Sequence, residues 1–256
     1  MMIGIVGGTG PYAGLDLLRK VFDNTLAGSD REHLDVVLMS LPSGIPDRTD
    51  FLLGKTRDNP AYAIAEILFK LEAIGAGVAG IACNTAHADR IFGVILQKLR
   101  EAECRIRLLH MIDETISCLG RTHPGLSRIG VLSTTGTYQS GVYRKALEKR
   151  GYEAVRPTRE MQEKLIHPAV YDPEYGIKAH SAPVHPTAMG NLLRGIDFLK
   201  SEGAQAVILG CTEISMALTG KDTGTMATID PARILARALI RSVDASKLKP
   251  EKNEPE

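Results

Sequence analysis

Apolar residues gather in short runs along this chain, and between the runs they recur at helical spacing. The runs at 2–6, 35–41, 78–82, 107–110, 128–132 and 206–209 have the length of strands. Over 59–75, Ile64, Ile67, Leu68 and Leu71 share one helical face. Segments 136–150, 186–202 and 230–243 carry similar helical patterns, and Asp230-Pro231 opens the last with an N-cap residue and a proline at the first helical position. Strands that alternate with helices predict βαβ units, hence mostly parallel sheets covered on both faces. After Ser246 the chain turns to Lys, Glu, Pro and Asn, and 246–256 is expected to be a disordered tail.

The pattern also repeats. Ile3-Gly4-Ile5-Val6 returns as Ile129-Gly130-Val131-Leu132, 126 residues later. Each run leads into a loop of small residues, Gly7-Gly8-Thr9-Gly10 and Ser133-Thr134-Thr135-Gly136. Gly80-Ile81-Ala82-Cys83-Asn84-Thr85 likewise finds a counterpart in Ile208-Leu209-Gly210-Cys211-Thr212-Glu213, with the cysteines 128 residues apart. Two features repeated at nearly one offset predict two similar α/β lobes related by a pseudo-two-fold axis. Each lobe is expected to be a mostly parallel sheet flanked by helices. The first lobe is expected to span 1–115 and to regain 228–245 as a returning C-terminal helix, and the second to span 116–227. Open α/β sheets bind ligands beyond the carboxyl ends of their strands, so the active site is expected in the cleft between the lobes.

Composition narrows the function. Lys and Arg total 31 against 30 Asp and Glu, which gives no basic stripe for nucleic acid. No run approaches the ~20 apolar residues of a membrane span. The first residues lack the charged start of a secretory signal. Four cysteines are too few for a disulfide framework in a chain of 256 residues. The expectation is a cytoplasmic protein with reduced thiols.

A single cysteine at a strand end is ordinarily a small buried hydrophobe. Cys83 and Cys211 differ because they stand at matching places in two repeats, each followed by a polar residue, and core packing gives no reason for that recurrence. Cys104 and Cys118 lack such a setting and read as structural.

Ala82-Cys83-Asn84-Thr85-Ala86-His87 and Gly210-Cys211-Thr212-Glu213 resemble the paired signatures of the aspartate/glutamate racemase family. Gly7-Gly8-Thr9-Gly10-Pro11 resembles that family's opening, and the likeness runs from Met2 to about Leu239. Glu213 after Cys211-Thr212 resembles the aspartate racemase-like branch. The resemblance implies a cofactor-independent isomerase of aspartate or glutamate, active as a homodimer, with Cys83 and Cys211 as the catalytic pair and no metal. It also implies that the segment Leu41-Pro42-Ser43 to Pro46-Asp47-Arg48 brings in Arg48 as a substrate-binding residue. Lys164 resembles the family's second basic substrate residue.

The chemistry gives two cysteines a purpose. Racemisation removes the α-proton from one face of the amino acid and returns a proton to the other. One thiol must be ionised while its partner is protonated, and the roles exchange with the hand of the substrate. A free thiol ionises near ~8.5, within reach of a tuned site. Asn84, Thr85 and Thr212 are placed to bind the α-carboxylate and stabilise the developing carbanion. Thr9, Thr135 and Thr137 lie in strand-end loops, where they bind the carboxylate or cap helices. His87 and Glu213 read equally as tuners of the neighbouring thiols and as ordinary partly buried residues.

Three rival readings stand beside this one. Gly8-Thr9-Gly10-Pro11-Tyr12-Ala13 formally matches a nicotinamide-binding fingerprint, yet the second strand leads to Pro42 and Ser43 rather than to an acid for the ribose. Cys83, His87 and Cys211 suggest a metal site that no further ligand clearly completes. A non-catalytic amino-acid binder is the third. Within the superfamily, broad-specificity amino-acid and hydantoin racemases remain alternatives.

Overall fold

The structure, a computed structural model, describes residues 1–218, 223–224 and 226–250. It contains two four-stranded sheets, every strand pair of which is parallel. In the first, β1 (Met2–Gly7), β2 (Val36–Ser40), β3 (Ala76–Ile81) and β4 (Arg107–Leu108) lie in the order β2-β1-β3-β4. In the second, β5 (Arg128–Leu132), β6 (Glu153–Val155), β7 (Ala206–Leu209) and β8 (Ala227–Ile229) lie in the order β6-β5-β7-β8. The two orders are the same, as the repeat in the sequence requires.

Parallel strands covered on both faces read as continuous apolar runs. Ile3, Ile5 and Val6 of β1 are fully buried, as are Ala206, Val207 and Ile208 of β7. Helices Ala61–Ala73 and Asp89–Glu101 cover one face of the first sheet through Ile64, Leu68, Ile91 and Ile95. Helices Pro11–Asp23 and Pro231–Val243 cover the other through Leu17, Val21, Leu235 and Leu239. The last helix thus returns from the second sheet to the first. Its N-terminus is tied there by Lys20, whose ammonium lies 2.5 Å from Asp16 and 2.7 Å from Asp230, all three side chains largely buried.

Some expectations need correction. The return does not begin at 228, because Ala227–Ile229 is strand β8, paired with β7 in the second sheet. The expected boundary after residue 115 falls inside helix Met111–Thr122, which packs on helix Pro231–Val243 and also on helix Val142–Glu148 of the second lobe. Residues 136–150 do not form one helix: Gly141 adopts φ +67° and divides Thr135–Ser140 from Val142–Glu148. The start of the tail is docked rather than disordered. Leu248 bridges Thr25, the Leu26 N–H donates to the Lys247 carbonyl at 2.6 Å, and the Lys249 N–H donates to the Asn24 carbonyl at 2.9 Å. The remainder of that expectation, 251–256, lies outside the described residues. No helix among the described residues is long and apolar enough to cross a membrane.

Candidate active site

The carboxyl ends of both sheets meet across one cleft. Cys83 follows β3 by two residues and Cys211 follows β7 by two, so the repeat delivers the thiols to equivalent strand ends. Both are nearly buried, at 8% and 6% exposure. A cavity of about 260 Å³ opens between the lobes. The loop from Gly8 to Tyr12 and Ile45, Asp47 and Arg48 line it from the first lobe, and Lys178, Ser181 and Glu213 from the second. Neither cysteine is part of that lining, but each is held by a residue that is.

Arg48 holds Cys83. It opens the short helix Arg48–Leu52, which Asp47 caps by accepting from the Asp50 N–H at 2.9 Å. The guanidinium donates to the Thr9 carbonyl and, at 3.2 Å, to the Pro46 carbonyl, and it also interacts with the Cys83 thiol. Burial opposes its charge, yet Cys83, Tyr171 and Asp47 together raise its pKa, so Arg48 is a buried permanent cation. Tyr171 donates from its hydroxyl to Asp47 at 3.1 Å and lies 3.2 Å from the Thr49 hydroxyl.

Glu213 holds Cys211. The Cys211 thiol donates to Oε2 of Glu213 at 3.1 Å, the Thr212 hydroxyl donates to the same oxygen at 3.1 Å, and Lys178 Nζ donates to Oε1 at 3.0 Å. Burial and then the charge of Glu213 push the Cys211 thiol well above its usual pKa. Burial also resists ionisation of Glu213, but Lys178 and the donated hydrogen bonds outweigh it and leave the carboxyl below its usual value. Glu213 lies against Gly10, the N-cap of helix Pro11–Asp23, where aligned peptide dipoles favour an anion. A side chain at Gly10 would overlap the Glu213 carboxylate. In the nicotinamide-binding reading that helix start would hold phosphate, and here a carboxylate of the other lobe already faces it. The equivalent glycine of the second repeat, Gly136, meets Thr49 in the same way: an added Cβ would sit 2.9 Å from the Thr49 Cα.

The other expected residues divide into three sets. Thr9 lines the cavity and donates to the Ala82 carbonyl at 3.3 Å. Asn84, Thr85 and Thr137 form a polar seam between the lobes: Tyr143 donates to Asn84 Oδ1 at 2.5 Å, and the Thr85 hydroxyl lies 2.8 Å from that of Thr137. Thr135 joins the seam's edge through Gln162, whose amide lies 3.4 Å from its hydroxyl and donates to the Ser133 carbonyl at 2.9 Å. His87 reaches the backbone of Cys83 rather than its sulfur. Its Nδ1 donates to the Cys83 carbonyl at 2.8 Å, and full burial, followed by the nearby His110, drives its pKa down to about 3, so the ring is neutral. It stacks on Phe92 with ring centroids 5.1 Å apart.

Lys164 is not brought to the cavity. The turn that carries it buries Gln162 and Ile166 and points Lys164 outward, where it pairs with Glu160 at 2.8 Å with its side chain 72% exposed. The second cation of the cleft is Lys178, which sequence reasoning missed. It sits in an aperiodic loop, and its signal is weak, a lysine directly after buried Ile177. Asp47, Tyr143, Gln162 and Tyr171 were missed as site residues for a similar reason, since each acts through a contact far away in sequence.

Residues 6–239 match the sequence profile described as Asp/Glu/Hydantoin racemase. The chain belongs to this racemase family. A broad-specificity amino-acid racemase, RacX of Bacillus subtilis (strain 168), is 27% identical over 245 residues, covering 93% of this chain and 96% of that one. The aspartate racemase of Picrophilus torridus is 31% identical in sequence with a TM-score of 0.79, over 97% of this chain and 96% of that one. A glutamate racemase from Francisella tularensis, solved with D-glutamate, shares the fold at 18% identity and TM-score 0.64, over 98% of this chain and 84% of that one. The protein is thus an amino-acid racemase, an isomerase.

Proposed function

We propose that this racemase interconverts the L- and D-forms of an acidic amino acid, aspartate or glutamate, by proton transfer at Cα between Cys83 and Cys211, with no cofactor. One observation carries the reading: the two thiols stand at equivalent strand ends, and each interacts with a different cation of the same cleft. Arg48 interacts with Cys83, Lys178 with Cys211, and the two cations are close enough to repel one another. A dicarboxylic amino acid carries two carboxylates for these two cations. Arg48 offers a planar fork suited to one of them. Thr9 and Thr212 contribute hydroxyls near the cavity, and Asn84, Thr85, Thr135 and Thr137 fix the strand-end loops that surround it.

In the reaction, one thiolate removes the α-proton from its face of the substrate. The cations and the hydrogen-bond donors around the carboxylate stabilise the carbanion. The opposite thiol then delivers its proton to the other face, which inverts the centre and exchanges the protonation states of the two cysteines.

A second reading, a racemase with broader substrate range, is favoured by the space next to the cleft. A cavity of about 370 Å³ shares Tyr12, Lys178 and Ser181 with the first and continues past His180 and His185. It gives room to side chains longer than that of glutamate.

The test is exchange of the α-proton in heavy water, from each pure enantiomer of a panel of amino acids, with dialysed protein. Wild type should exchange and racemise aspartate or glutamate without added metal, nicotinamide or pyridoxal phosphate. Cys83→Ala and Cys211→Ala should each lose racemisation and show opposite preferences for the enantiomer they still exchange. Complete racemisation by either variant would overturn the two-thiol mechanism. Faster exchange of neutral or longer amino acids would replace the acidic substrate with the broader range.

A further inference from the structure

Cys211 is the more enclosed of two thiols that must exchange roles, and the groups around it are unlike those around Cys83. On its own helix, Glu213 accepts its proton at 3.1 Å. From the loop opposite, Lys178 donates to the far oxygen of that carboxylate at 3.0 Å. Tyr171 and Tyr143 face the thiol from two further helices; burial raises the pKa of both, so they stay neutral and add no charge. Gly10, at the start of helix Pro11–Asp23, completes the enclosure against Glu213. The nearest full charge is therefore the carboxylate that accepts the thiol's hydrogen bond.

We propose that Glu213 is a positioning residue that keeps the proton on Cys211 in the substrate-free enzyme, so that the enzyme rests in one of its two proton states, with Cys83 as the waiting base. A carboxylate at hydrogen-bond distance accepts from a thiol but repels a thiolate, which is why the proton stays. Lys178 moderates the effect by neutralising part of the carboxylate's charge. The inference rests on the two-thiol reading and adds a direction to it. The enantiomer that presents its α-proton to Cys83 meets the enzyme ready. Its mirror image must wait for the less populated state in which Cys211 is ionised and Cys83 protonated.

The consequence for kinetics is constrained. Enantiomers have equal free energy, so kcat/KM must be the same in both directions at every pH. The bias can show only as matched differences, one enantiomer having the lower KM and the lower kcat.

The experiment has two arms. In the first, the ultraviolet absorbance of the Cys211 thiolate is titrated without substrate in a Cys83→Ser background, with and without Glu213→Gln. The glutamine variant should ionise at a pH lower by about one unit or more, because a negative charge has been removed. Lys178→Met should move the midpoint the opposite way. In the second arm, kcat and KM are measured in both directions. The matched inequality of the wild type should narrow in Glu213→Gln, and thermal melts check that both variants are folded. An unchanged Cys211 midpoint in Glu213→Gln, or a rise, would overturn the inference even in an active racemase, as would equal KM values for the two enantiomers in the wild type. A wild type that racemises nothing while the titration shifts as expected would instead remove the two-thiol reading.

Discussion

Cys83 and Cys211 each stand two residues beyond the third strand of their repeat, and their surroundings then diverge. Around Cys83 the nearest charge is positive, the buried Arg48 guanidinium, and the neutral His87 ring fixes the backbone carbonyl. Around Cys211 the nearest charge is negative, the Glu213 carboxylate, with Lys178 behind it. The duplicated sheets supply equivalent positions, and the residues just after each strand supply unequal electrostatics. Near-symmetry of the backbone thus places two thiols at matching strand ends, while side-chain asymmetry sets unlike charges beside them.

The comparison can be broken first at the two cations. Arg48→Met should lose a charge-assisted contact worth about 1.5–3 kcal/mol, a fall in kcat/KM of roughly tenfold or more. Lys178→Met should fall less, because Lys178 already shares its charge with Glu213 and its side chain is 27% exposed. Steady-state kinetics on the preferred amino acid decide this. A larger loss at Lys178 would mean that the second lobe carries the main substrate contact.

The next test compares the two glycines at which each lobe enters the other. Gly136→Ala would drive a methyl group against the Thr49 backbone, which cannot swing away, and should destabilise by about 1–3 kcal/mol. Gly10→Ala meets only the end of the Glu213 side chain, so it should cost less in thermal denaturation and more in kcat. Equal melting temperatures would show Glu213 to be held as rigidly as backbone. The smallest effect is expected at Lys164, whose exposed ion pair with Glu160 is of the kind that contributes little. Lys164→Ala should leave kinetics and the melting temperature unchanged.

What the sequence makes legible here follows from how local each signal is. The apolar runs at 128–132 and 206–209 coincide with β5 and β7, because buried parallel strands are apolar throughout. β6 and β8 escape notice as edge strands of three residues, with too few buried positions to form a pattern. The cysteines were visible through the repeat, and Arg48 through a resemblance in its segment. Lys178 carried no such mark. Its place depends on a long aperiodic loop folding back over the cleft, which side-chain patterning does not encode, and the resemblance pointed instead to Lys164.

The returning helix Pro231–Val243 bears on how the chain is made. The first sheet leaves the ribosome early, but Leu235 and Leu239, which cover one of its faces, emerge more than two hundred residues after Ile3 and Ile5. The strands of the second sheet all lie between residues 128 and 229, so that lobe can assemble first. During synthesis the part of this face that helix Pro11–Asp23 does not cover stays open while the second lobe takes shape, and transiently exposed surface of this kind invites aggregation. The Lys20 contact with Asp230 then acts as the latch that joins the early helix to the late one on that face.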